Sequence, residues 1–175
     1  KNIYYFSYYG SLRFDVLLGA LFINVKMIDL FIGYQVFLLI LTNLTCYFFL
    51  KRHLKRNDLC FLLSLFVLLS SIFFQFHKQV MFVNYMPFLF LMLRSIDHYF
   101  INHHFTGIII WGSCIVLHSY FYCIACFIVC FIYFVMQCAN HKEYKKPLFH
   151  LLIAYVGIVL LTAIYTIPTL YVIAG

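Results

Sequence analysis

Residues 105–137 read FTGIIIWGSCIVLHSYFYCIACFIVCFIYFVMQ, from Phe105 to Gln137, with no Asp, Glu, Lys or Arg among them. A hydrocarbon layer about 30 Å thick is crossed by about 20 helical residues. At 33 residues the stretch is too long for one ordinary crossing and tight for two. Its only polar and aromatic interruption is His118-Ser119-Tyr120-Phe121-Tyr122, so two helices are expected to meet there. Lipid offers no partner to a backbone N–H or C=O, so each crossing is expected to be helical.

The rest of the chain agrees with that environment. Of its 175 residues, 66% are hydrophobic and 10% are charged, against about 45–50% and about 25% in soluble domains. So few charges cannot clothe a water-soluble surface. A cytosolic enzyme domain, a DNA-binding module and a disordered tail are thereby excluded. The net charge of +7 does not point to nucleic acid, because the basic residues form short clusters between apolar runs. Loops of membrane proteins look like that. The expected partners are membrane lipids. The chain starts at Lys1 without an initiator Met and ends at Gly175 directly after an apolar run, so a piece of a longer protein is expected.

Working outward from the central stretch, four further crossings are expected. They run over Leu30–Leu50, Leu59–Phe76, Val80–Leu93 and Leu148–Ile167. Pro87 lies inside the third, which predicts a kinked or re-entrant helix. Pro147 is expected to begin the last helix at its N1 position, and Pro168 marks its exit. The fold class is all-α, a polytopic transmembrane helical bundle of about six membrane-spanning helices over residues 30–175. Residues 1–29 read as an external interfacial segment. They hold the Tyr-rich Tyr4-Tyr5-Phe6-Ser7-Tyr8-Tyr9 and an expected amphipathic helix from Ser11 to Ile23.

Charge sets the expected orientation. Lys51, Arg52, Lys55, Arg56, Arg94, Lys142, Lys145 and Lys146 follow crossings one, three and five. The positive-inside rule assigns those loops to the cytoplasm. The polar stretch Arg94–His104 is expected as one such loop, with an Arg94–Asp97 ion pair on a local helical turn. The seven Cys lie in or beside apolar runs and read as small buried residues rather than metal ligands.

The external side then collects the residues with binding chemistry. His77, Lys78 and Gln79 end the second crossing, and His118 and Tyr122 flank the central turn. Asn84, Tyr85, Tyr120, Tyr165 and Thr166 lie near the same side. A cation beside a neutral hydrogen-bonding ring suits a phosphate at headgroup depth. The competing reading is a snorkelling Lys78 in an aromatic belt. No nucleotide-binding, zinc-protease or serine-hydrolase motif is present.

The order of segments carries a resemblance. Residues 76–91, from Phe76-His77-Lys78-Gln79 through Asn84-Tyr85-Met86-Pro87 to Leu91, precede Ser95-Ile96-Asp97-His98-Tyr99-Phe100. Ser119-Tyr120-Phe121-Tyr122 follows, and last comes Leu160–Leu170 with Ile167-Pro168-Thr169. Together, over Leu30 to Tyr171, they resemble the YfhO family of bacterial polytopic membrane proteins. The resemblance implies a GT-C-type glycosyltransferase in the bacterial plasma membrane. Such an enzyme moves a sugar from a polyprenyl-phosphate donor to an extracytoplasmic envelope polymer. His77, Lys78, Gln79, His118 and Tyr122 would then serve substrate binding. The family's catalytic carboxylate belongs to a first external loop that has no counterpart here, and Asp15 is only a weak substitute. The catalytic base is therefore assigned to no position. No cofactor is identified, and a divalent metal in the full-length protein stays open. A non-enzymatic membrane subunit or transporter component is the alternative.

Overall fold

The computed structural model describes residues 26–70, 84–142 and 144–174. Six helices account for nearly all of them: α1 (Met27–His53), α2 (Asn57–Leu68), α3 (Met86–Asn102), α4 (Thr106–His118), α5 (Tyr120–His141) and α6 (Lys145–Ala174). No strand occurs among the described residues. Three helices contain stretches long and apolar enough to cross a membrane: Ile28–His53, Tyr122–His141 and Lys145–Ala163. Two more, α2 and α4, are apolar but shorter.

Local chemistry explains most boundaries. The central stretch divides where expected. Ser119 takes an extended conformation at φ −152° and ψ 92°, so α4 ends on one side of it and α5 begins on the other. Among the described residues, two non-glycine residues take left-handed backbone, His103 at φ 57° and Lys142 at φ 55°. They end α3 and α5 in the way a C-terminal cap does.

Several expectations change. Pro87 does not kink a helix, because α3 starts at Met86 and a first-turn proline removes only an N–H that has no partner anyway. The stretch from Arg94 to Asn102 is not a loop but the second half of α3. Likewise Lys51-Arg52-His53 is the last turn of α1, and the break that follows is only Leu54–Arg56. The last helix, α6, begins at Lys145, so Pro147 is its third residue and not its first, and at the far end it runs through Pro168 to Ala174 rather than stopping there. The expected amphipathic helix over Ser11–Ile23, and most of the 1–29 segment with it, lies outside the described residues, as do residues 71–76 of the second crossing and 80–83 of the third.

The packing is turned inside out relative to a soluble bundle. α3 packs against α1, α4 and α5, while α4 also packs against α5 and α6. Outward faces carry large apolar side chains: Ile32, Val36 and Ile40 on α1, Ile124, Ile128 and Met136 on α5, Leu152, Val159 and Leu160 on α6. Small and weakly polar residues point inward, among them Thr42, Cys46, Ser113, Cys126, Cys130 and Thr162. Water would penalise such a surface, whereas lipid does not, and lipid gives no hydrophobic drive for one helix to meet another. Close approach has to supply the attraction. A Cβ on Gly112 would overlap Ile158 Cδ1 and lie 3.0 Å from its Cγ1, so the bare α4 backbone there makes room for the Ile158 side chain of α6. A Cβ on Gly107 would lie 2.7 Å from Ser95 Oγ, so α3 and α4 meet similarly. The described cysteines are free thiols, and six of the seven are buried. Along α5, Cys123, Cys126, Cys130, Phe134 and Cys138 form one inward face, which matches the buried reading of these residues.

The interior hydroxyls satisfy themselves locally. Thr42, Ser113 and Thr162 each donate to the carbonyl four residues back, at 2.7, 2.8 and 2.8 Å. Bonds of this kind satisfy hydroxyl donors inside an apolar bundle.

Candidate functional site

The helix ends gather into two chemically different clusters. The first joins the start of α3, the end of α4 and the start of α5 with Tyr34 of α1. His118, on the last turn of α4, is its centre. Its Nδ1 lies 2.8 Å from the carbonyl oxygen of Cys114, and Nε2 lies 2.7 Å from the Tyr34 hydroxyl. A carbonyl only accepts, so Nδ1 carries the proton. In the neutral ring Nε2 then accepts from Tyr34. Phe88 of α3 covers the ring at 4.4 Å between centroids. Beside it Tyr85 stacks on Tyr122 at 5.4 Å and an interplanar angle of 19°. Asn84 and Tyr85 are both buried.

Two of the five expected binding residues, His118 and Tyr122, thus fall in the same cluster. His77, Lys78 and Gln79 lie outside the described residues, as do the side chains of Tyr120, Tyr165 and Thr166. Both ring nitrogens of His118 are engaged. A phosphate could approach this imidazole only by displacing the Tyr34 hydroxyl.

The second cluster was not legible as a site. Asp97 is the only buried carboxylate among the described residues, its side chain 3% exposed. Two other helices supply its partners. From α5, the Tyr133 hydroxyl donates to Oδ1 at 2.5 Å and Gln137 Nε2 donates to it at 2.9 Å. From the last turn of α1, His53 Nε2 lies 3.2 Å from Oδ2 and Arg52 Nε lies 3.6 Å from it. Gln137 also donates to the Tyr133 oxygen at 2.9 Å. A carboxylate without such partners would cost several kcal/mol to bury in a low-dielectric interior.

Arg94, expected to pair with Asp97, does something else. Its guanidinium lies over the Phe48 ring at 5.7 Å. Asp97 instead reaches across to α1. A usable signal was present in the sequence. Leu93, Ile96 and Tyr99 are inward residues of α3, and Asp97 follows Leu93 by one helical repeat on that face. Tyr133 and Gln137 are likewise four residues apart and share a face of α5.

Near the Asp97 cluster, Tyr99 of α3 holds His150 of α6, with its hydroxyl 2.7 Å from Nδ1. His150 also stacks on Phe105 at 5.7 Å. This end carries the basic residues Lys51, Arg52, Lys142, Lys145 and Lys146 at helix termini. No group of three or more His, Cys, Asp or Glu side chains with metal-binding geometry occurs among the described residues. No family model, curated protein or solved structure matches the chain.

Proposed function

We propose that this chain is part of a multi-pass membrane glycosyltransferase that takes a sugar from a polyprenyl-phosphate donor to an extracytoplasmic cell-envelope polymer. The ordered segments that resemble the YfhO family support this reading. The observation that carries it is the meeting of two of those segments in space. The turn before Pro87 and the turn at Ser119 touch through the Tyr85–Tyr122 stack and the Phe88–His118 contact. Neither turn is near the other in sequence, and each belongs to the side expected to hold substrate.

In this reading the chain crosses the membrane six times, with the Asp97 end in the cytoplasm and the His118 end outside. Donor phosphate sits at headgroup depth against the aromatic cluster. Lys78, with His77 and Gln79, supplies positive charge and hydrogen bonds to the departing lipid phosphate. A carboxylate elsewhere in the protein deprotonates the acceptor hydroxyl as it attacks the anomeric carbon.

The test uses the full-length protein with a polyprenyl-phosphate-sugar donor. Sugar release is expected, with donor affinity weakened in Lys78→Ala. Unchanged donor affinity in that variant removes Lys78 from the site. Impermeant thiol labelling in intact cells should reach a cysteine at position 78 and not one at position 55; the reverse pattern inverts the topology and ends the proposal. A non-enzymatic membrane subunit is the second reading. It is favoured by Asp97, because the one buried carboxylate among the described residues is committed to joining helices.

A further inference from the structure

A cavity of about 570 Å³ opens beside the first turn of α6, between that helix and the end of α3. Lys145, Lys146, His103, His150 and Tyr99 line it, with Tyr144 and Pro147 at its edge. Its walls are held in place from several directions. Tyr99 fixes His150 through the 2.7 Å contact, and Phe105 covers the imidazole face. His103 is set by its left-handed backbone and by an edge contact with Tyr99 at 6.1 Å.

The described lining holds two lysine ammonium groups and no carboxylate. The backbone N–H groups of Lys145 and Lys146 add to this, since they start α6 and have no carbonyl four residues earlier in the helix. The helix macrodipole acts in the same sense. Glu143, two residues before Lys145, lies outside the described residues. Even with it counted, Lys142, Lys145 and Lys146 leave this loop net positive. Along α6 from the cavity, Phe149 and Leu152 are more than half exposed and present apolar surface.

We propose that this cavity binds the phosphate group of an anionic ligand. Two lysine ammonium groups and two backbone N–H groups answer the oxygens, and His150 forms the floor. The adjoining apolar strip of α6 fits acyl chains, so an anionic phospholipid headgroup and free phosphate are the two sources to separate. The inference does not depend on the glycosyltransferase reading, since it uses neither the His118 end nor the membrane orientation.

The experiment uses the full chain in neutral detergent, titrated with short-chain phosphatidylglycerol, with inorganic phosphate and with the matching diacylglycerol. Saturable binding of phosphatidylglycerol but not of diacylglycerol is expected. Lys145→Gln/Lys146→Gln should weaken it about tenfold. His150→Phe, which keeps the ring stack on Phe105, should weaken it about threefold. Glu143→Gln should leave it unchanged or tighten it. Lys51→Gln/Lys55→Gln removes the same charge elsewhere and should have no effect. Phosphatidylglycerol binding without phosphate binding identifies a lipid headgroup site, and phosphate that binds and competes identifies a site sufficient for the free anion. Failure of both probes to saturate overturns the proposal. So does equal weakening by the Lys51/Lys55 variant, which would reduce the effect to diffuse charge.

Discussion

The Asp97 cluster and the His118 cluster solve the same problem with different chemistry. Each places polar groups near the end of an apolar bundle, and each draws on three or more helices. Around Asp97 an anion is matched by donors from α1 and α5. Around His118 the hydrogen-bond partners described are neutral, a tyrosine hydroxyl and a backbone carbonyl. The first arrangement is costly to break, because a buried carboxylate that loses its donors remains buried. The second is cheaper to rearrange, because an imidazole and a phenol can each take a new partner. A helix junction suits the former and a binding surface suits the latter.

Substitutions can break this contrast. Asp97→Ala should have the largest effect, a loss of about 3 kcal/mol in reversible unfolding in mixed micelles, since it dissolves the α1–α3–α5 junction and strands its donors. If its effect matched that of a change at His118, the two ends would be energetically equivalent and the comparison would fail. Tyr133→Phe removes a hydrogen bond to the carboxylate and should cost about 2 kcal/mol in the same assay. The matched change at the other end, Tyr34→Phe, removes a hydrogen bond to a neutral ring and should cost about 0.6 kcal/mol, near the average for polar contacts between membrane helices. Equal losses for the two tyrosines would mean that acceptor charge does not matter. Arg52→Ala should have the smallest effect, about 0.5 kcal/mol. Its side chain is 34% exposed and stands 3.6 Å from Asp97, so solvent screens the pair. That small loss should shrink further in high salt, whereas the Tyr133→Phe loss should not.

The structure also shows where sequence reading stops. The break at Ser119 was legible because a run of adjacent polar and aromatic residues interrupts an otherwise apolar stretch there. The stretch Arg94–Asn102 was misread for a related reason. Its Arg, Asp and His residues look like a loop when polarity alone is weighed. In α3 they sit on different faces: Arg94 and His98 are exposed, while Ile96, Asp97 and Tyr99 are buried. Helical spacing carried that information and composition did not. Pro87 and Pro168 were misplaced by treating proline as a break, although a first-turn position costs nothing and α6 continues past its own proline.

By itself the sequence determined the apolar character of the chain and the element type. Most side chains are apolar, charges are few, and a backbone in lipid has to bond to itself, so long helices follow without reference to any partner. Only the tertiary structure decided which polar groups meet. Asp97 finds Tyr133 and Arg52 at separations of 36 and 45 residues. No local rule ranks those partners above Arg94, which is three residues away. The choice depends on how α1, α3 and α5 are rotated about their axes, and close packing between helices sets those rotations.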